Sequence, residues 1–289
     1  MRRDEGDRSG TVPILRRMAD LERSGVRPDV RASFWSRLAR SRDLIVALTH
    51  ADLRVRYGRG PYRLVKWVLE PFALLGVYLM LVTFVVDRPG TDPGLSLACA
   101  IVPFQLVMTS VISSTNAITM RESVILNMRF DRTLIPPTTV ATETVAFFAS
   151  LSLIVMTMIA YGVAPTPAIL LYPFVLALNM LLALAVAFPI SLVGLWFREL
   201  RVFVVSFARA MFFLAPGLVP LSEASETAQR WLRLNPLTGL FESYRAVFLY
   251  GDVPAAIDVL VPLLFSLVLL ALAVPVYRRE QGQFAKVVE

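Results

Sequence analysis

Six windows of the sequence, 68–86, 95–120, 138–163, 168–197, 202–221 and 259–277, each approach or exceed the roughly 20 apolar residues that cross a bilayer as a helix. No other feature constrains the fold as strongly. In hydrocarbon every backbone N–H and C=O must find a partner inside the protein, and a helix supplies them all locally. The expected fold class is an all-α membrane protein with six transmembrane helices. Composition agrees: 56% of the 289 residues are apolar, 18% are charged and the mean hydropathy is +0.63. Soluble domains carry roughly 45–50% apolar and about 25% charged residues. The balance excludes a soluble enzyme, a disordered chain and a disulfide scaffold. Cys99 is the lone cysteine and His50 the lone histidine, so neither an intrachain disulfide nor a His-rich metal site is expected. Residues 1–67 are polar and Arg-rich without an early apolar run, and no signal peptide is expected.

Charge gives an orientation. The net charge is +7, and all 29 basic residues are arginine except Lys66 and Lys286. With the N-terminus in the cytoplasm, 24 of the 29 fall on the inner segments 1–67, 121–137, 198–201 and 278–289. Four fall on the outer segments 87–94, 164–167 and 222–258. This is the bias that cytoplasmic flanks carry, and six spans return both termini to the cytoplasm. The basic flanks then face anionic lipid rather than nucleic acid.

Between the windows the chain divides further. Residues 1–33 read as a disordered cytoplasmic tail, with order beginning near Phe34 and Trp35. Region 34–67 contains an amphipathic helix over 41–57, with Leu44, Leu48, Ala51 and Val55 on one face. Gly58, Gly60 and Pro61 end it, and Tyr62, Arg63, Lys66 and Trp67 are residue types of a membrane interface. Segment 121–137 is a loop with a short helical core, whose apolar face is Val124, Ile125 and Met128. It suits docking to another protein, or is a solvated turn. Segment 222–258 is too long for a turn and too apolar for a solvated loop. Ser222 can cap a first short helix, and Asn235 a second with Pro236 at its first position and Gly251 at its far end. A helix of about 14 residues is about 21 Å long, too short to span. Both helices are expected to dip into or lie on the outer leaflet. The transmembrane domain is 68–277, and 278–289 is a cytoplasmic tail.

The chain has no G-x-x-x-x-G-K-[ST], H-E-x-x-H, C-x-x-C or G-x-S-x-G motif. Glu223 and Glu226 form the one carboxylate pair worth weighing, against a solvated helix start favoured by the dipole. Glu70, Glu143 and Arg209 lie inside windows, in the third nearest the cytoplasm. They pair with one another or line a polar path. Neither midplane carboxylates nor inverted repeats, the marks of a secondary transporter, are evident.

The order of these parts resembles the permease subunit of ABC-2 type exporters, in the branch for O-antigen, capsule and teichoic-acid polysaccharides. Residues 41–60, SRDLIVALTHADLRVRYGRG, resemble that family's interface helix. Glu70-Pro71 resembles its first-span opening, and Phe130-Asp131-Arg132 its F-P-R element, with Asp131 in place of proline. FREL at 197–200, FFLAP at 212–216, LNPLTGLFESYRAVFL at 234–249 and the tail at 284–288 complete the match. The resemblance implies a homodimeric pore with two separate ATPase subunits, which hold ATP and magnesium. This chain would then be no enzyme, with no cofactor, catalytic residue or metal of its own. ATPase docking would use Arg42, Leu44, Leu48, Glu122, Ile125, Met128, Phe130, Arg132, Phe197, Arg198 and Glu199. The cargo implied is a lipid-linked glycan in the bacterial cytoplasmic membrane. Arg54, Arg56, Arg59, Arg63 and Lys66 cluster at the cytoplasmic mouth, either to hold its head group or as positive-inside anchors. Tyr78, Phe84, Phe104, Phe147, Phe203 and Phe207 are channel-lining candidates, or packed and lipid-facing rings. Trp231, Asn235, Pro236, Phe241 and Tyr244 are candidates for an external gate. A drug or lipid efflux permease of the same fold, and a membrane enzyme acting on lipid-linked sugars, are the alternatives.

Overall fold

A computed structural model describes residues 34–57, 62–81, 92–127, 130–218 and 220–288. The tail at 1–33 lies outside the described residues. By their contacts the residues form two units, 1–44 and 45–289. The described part of the first is the opening half of helix α1, Phe34–Tyr57. The second unit holds every element discussed below.

All secondary structure among the described residues is helical. After α1 come α2 (Tyr62–Leu81), α3 (Pro93–Ser114), α4 (Glu122–Asn127), α5 (Ile135–Tyr161) and α6 (Tyr172–Trp196). They are followed by α7 (Leu200–Leu214), α8 (Glu226–Leu232), α9 (Pro236–Arg245), α10 (Ala256–Glu280) and α11 (Phe284–Val288). Among the described residues four segments are long and apolar enough to cross a bilayer: Pro93–Ser114, Arg132–Tyr161, Pro167–Trp196 and Ala256–Gln283. They coincide with the second, third, fourth and sixth windows. The first window runs beyond the described residues, and within it the apolar helical stretch is Phe72–Leu81. The fifth is shorter than its window. α7 stops at Leu214, where Ala215 turns extended ahead of Pro216, Gly217 and Pro220, none of which favours continuing a helix.

α3 is the centre. In its most apolar stretch 78% of residues are buried, against 17% for α10, which lies on the outside. α2, α5, α6, α7 and α9 pack around α3, and α10 packs on α6 and α9. Lipid tails are as apolar as leucine, so close approach and internal hydrogen bonds hold such helices together. The sequence provides both. α3 buries Ser96, Ala98, Ala100, Ser110, Ser113 and Ser114, and α6 buries Ala183, Ala185 and Ala187. Gly194 of α6 lies directly against the Thr115 backbone after α3, so that any Cβ there would collide with the Thr115 carbonyl. Gly239 of α9 meets the backbone of Asp258 in α10 in the same way. On α5 the hydroxyls of Thr138, Thr139, Thr142, Thr144 and Thr157 each donate to the carbonyl four residues earlier, at 2.7–3.1 Å. A threonine-rich helix is thereby made compatible with hydrocarbon.

Several expectations change. α1 begins at Phe34, and its expected apolar face is covered only in part: Leu44 and Leu48 are half-buried, Ala51 is exposed and Val55 is 78% exposed, while Thr49 is buried. The segment 121–137 gives way to α5 before its end: Pro136 and Pro137 sit in the first turn of that helix, where no N–H is required of them. In segment 222–258 the cap of the first short helix is Ser225, which accepts from the Ala228 N–H at 3.4 Å, and not Ser222. The second is as expected: Asn235 accepts from the Leu237 N–H at 3.0 Å and Pro236 follows it. α9 runs on through a π-helical turn, Ala246–Tyr250, to Gly251 at φ 70°.

Candidate functional site: two braced ends and an apolar groove

At one end of the bundle lie the connections between α3 and α5 and between α6 and α7, together with the end of α10. Three arginines tie them. Arg121 is 6% exposed and pairs with Asp52 of α1. It also donates to the Ala117 carbonyl at 2.9 Å and the Thr139 hydroxyl at 3.1 Å. Arg201 donates to Asn116 Oδ1 at 2.7 Å and to the Gly194 carbonyl at 2.7 and 2.9 Å. Arg132 donates to the Gln281 carbonyl at 2.5 Å. Beneath them Ile118, Ile125, Ile135, Phe188, Tyr277 and Phe284 form one buried cluster.

This cluster corrects one docking residue. Ile125 is 2% exposed and packs in that core, where α4 meets α11, so its side chain is not surface. The exposed positions nearby are Met120, Glu122, Ser123 and Leu126. Phe130 is half-buried against the same cluster, and Met128 lies outside the described residues. Phe197, Arg198 and Glu199 are exposed together on the turn between α6 and α7. Leu44 and Leu48 are half-buried, and Arg42 is exposed, 3.7 Å from the neighbouring Asp43. Of the head-group candidates Arg54 is exposed. Arg59 and the side chains of Arg56, Arg63 and Lys66 lie outside the described residues.

At the other end α9 is buried against α3, α6 and α10 and braced by an ion pair. Arg245 is 0% exposed. It donates to Glu242 Oε1 at 2.7 Å, the Ser96 hydroxyl at 3.1 Å and the carbonyls of Pro216 and Gly217 at 2.9 and 3.3 Å. The same Glu242 oxygen accepts from the Leu221 N–H at 3.0 Å. One guanidinium thus joins α9, the start of α3 and the break after α7. Sequence reasoning missed Arg245 as a site residue. The signal was an acid and a base at i, i+3 in an otherwise uncharged helix. Of the external-gate candidates, Phe241 and Tyr244 are fully buried and Trp231 is 72% exposed. Asn179 Nδ2 donates to the Tyr244 hydroxyl at 3.3 Å. Burial pushes that phenol well above its ordinary pKa.

Between the ends, α3, α6 and α7 enclose an apolar groove of about 450 Å³, closed by Asn235, Pro236 and Leu237 at the start of α9 and by Phe265. Three of the ring candidates line it: Phe104, Phe203 and Phe207. Phe203 and Phe207 are 68% and 56% exposed and stack with centroids 6.5 Å apart. Tyr78 stacks on Phe212 at 5.2 Å, joining α2 to α7. Phe147 is 3% exposed and belongs to the core, and Phe84 lies outside the described residues. Glu143 is buried and accepts from the Ser113 hydroxyl at 2.6 Å. The expected pairing with Arg209 is absent among the described residues; Arg209 is exposed. The side chain of Glu70 lies outside them.

Four bilayer-length apolar helices, hydroxyl-lined helix contacts and buried arginine braces define an integral membrane protein. No family model matches the chain. It is 29% identical over 248 residues to the "O-antigen export system permease protein RfbA" of Myxococcus xanthus, covering 85% of this chain and 95% of that protein. Two proteins of the same name from Klebsiella pneumoniae are 24% and 25% identical over 210 residues, which is 72% of this chain and 81% of theirs. The resemblance carried by the motifs is therefore shown: along most of its length the chain is similar to O-antigen export permeases.

Proposed function

We propose that this chain is the membrane permease of an ATP-driven exporter of a lipid-linked polysaccharide. It works as a homodimer of six-span subunits with two separate ATPase subunits, in the bacterial cytoplasmic membrane with both termini inside. The observation that carries the reading is similarity to named permeases over nearly their whole length. The lack of a P-loop in the sequence fits a division of labour in which a partner binds ATP.

The geometry supports a route for force. The exposed Phe197–Arg198–Glu199 turn and the exposed side of α4, with Glu122 and Leu126, are the surfaces for ATPase docking. Arg201 sits just after that turn and bonds Asn116 and Gly194, so a push on the turn reaches the ends of α3 and α6 together. Arg121 couples α1 to the same loop and to α5. At the opposite end the Arg245–Glu242 pair fixes α9, whose start closes the groove, and acts as the anchor of the exit gate. The cargo passes along α7, whose stacked Phe203 and Phe207 offer flat apolar faces to sugar rings.

Affinity purification of the tagged chain from its native membranes, with mass spectrometry of protein and lipid, tests this. A stoichiometric P-loop ATPase with bound glycolipid is expected. An ATPase with small lipids alone would point to a drug or lipid permease. Absence of any ATPase, with catalytic activity in the purified chain, would replace the reading with a membrane enzyme on lipid-linked sugars.

A further inference from the structure

We infer that segment 281–288 is a clasp that sets the position of α4, and that Phe284 is its positioning residue. The docking role of α4 rests on the permease reading; the clasp rests on the structure. α4 is about 9 Å of helix at 1.5 Å per residue, and a helix that short does not hold itself in water. The bonds of Arg121 secure the turn that leads into it, but they end at that residue. Among the described residues, the side-chain hydrogen bond within α4 is a local one, Asn127 Nδ2 donating to the Ser123 carbonyl at 2.7 Å. Glu122, Ser123, Leu126 and Asn127 are exposed, and Ile125 is the buried side chain. The position of α4 therefore depends on what Ile125 packs into.

A distant part of the chain supplies that seat. Phe284, the first residue of α11, is 0% exposed and shares the buried cluster with Ile125 where α11 packs on α4. Val287, on the next turn, lies half-buried against the same cluster. The Phe284 ring meets Tyr277 of α10 at 5.2 Å and 83°, and Tyr277 meets Phe188 of α6 at 5.3 Å and 86°. Both contacts have the edge-to-face geometry that aromatic rings prefer. They form one row from α11 through α10 to α6. Arg132, just before α5, fixes the start of the segment by donating to the Gln281 carbonyl. Close-packed side chains transmit displacement rather than absorb it. A shift of α4 thus reaches α10 and α6 through Phe284. This path is separate from the one through Arg201, which serves the turn at 197–199.

Hydrogen–deuterium exchange on the full chain in nanodiscs tests the clasp without an ATPase. Phe284→Ala is expected to speed exchange at 122–127 by about tenfold or more while leaving 97–107 of α3 unchanged. Arg132→Gln removes only the bond to Gln281, and a smaller acceleration is expected in the same peptide. Phe284→Leu keeps an apolar filling and is expected to stay near wild type. Unchanged exchange at 122–127 in Phe284→Ala would overturn the clasp. So would equal loosening of 97–107, which would make Phe284 an ordinary core residue, or a Phe284→Leu variant as open as Phe284→Ala. If Phe284→Ala does not fold, Arg132→Gln decides: unchanged exchange at 122–127 in that variant overturns the clasp. In the complex with the ATPase, Phe284→Ala is expected to keep the partner through the 197–199 turn and to lose glycan export per ATP hydrolysed. Undiminished export with α4 opened would remove the coupling role. Absence of an ATPase from the wild-type preparation would count against the permease reading, and exchange would still decide the clasp.

Discussion

The residue with most at stake is Arg245. A buried charge that loses its partner costs about 3–5 kcal/mol, and this one holds two carbonyls, a hydroxyl and a carboxylate at once. Arg245→Met leaves the half-buried Glu242 without its cation. It is expected to lower the thermal unfolding midpoint in detergent sharply and to reduce the yield of folded protein. Arg245→Lys keeps the charge but lacks the planar fork that reaches Pro216 and Gly217 together, so an intermediate loss is expected. Should Arg245→Met unfold at the wild-type temperature, the brace would not be structural. The pair was visible in the sequence as two charges at i, i+3. Their complete burial was not, because the groups that compensate them, Ser96 and the 216–217 backbone, are distant in sequence.

At the scale of elements, the short helix α4 separates two effects that its sequence merges. Val124, Ile125 and Met128 read as one apolar face ready for a partner. Instead Ile125 is occupied by the chain's own tail through Phe284, and Leu126 on the far side is 42% exposed. Ile125→Asp is expected to destabilise the protein by several kcal/mol, as burial of an unpaired charge does, and this is checked by unfolding in detergent. Leu126→Asp is expected to leave the unfolding midpoint nearly unchanged and to reduce ATPase co-purification. Equal co-purification by Leu126→Asp and wild type would remove α4 from the docking surface. Gly194 makes a second test. Its Cβ-free contact with Thr115 sets the crossing of α3 and α6, so Gly194→Leu is expected to separate them and disrupt the bonds of Arg201. Loss of export with retained membrane insertion, followed by glycan surface staining, is the expected result.

Over the whole molecule, hydropathy determined the class, the approximate position of four bilayer-length helices and the presence of a folded segment at 222–258 whose second helix is capped by Asn235. These are legible because a helix satisfies its own backbone and a cap acts within three residues, so local sequence suffices. The arrangement of motifs along the chain determined the resemblance to polysaccharide export permeases. The tertiary structure alone decided which apolar residues are core and which are surface. Leucine, isoleucine and phenylalanine are equally at home against protein or against lipid, and inside a membrane hydrophobicity does not mark the buried face. Hence Phe147, Phe241, Tyr244 and Ile125 turned inward while Phe203 and Phe207 stayed in the groove. The fate of the charges was likewise non-local. Arg245 found its partners across the bundle, while Arg209 is exposed on α7.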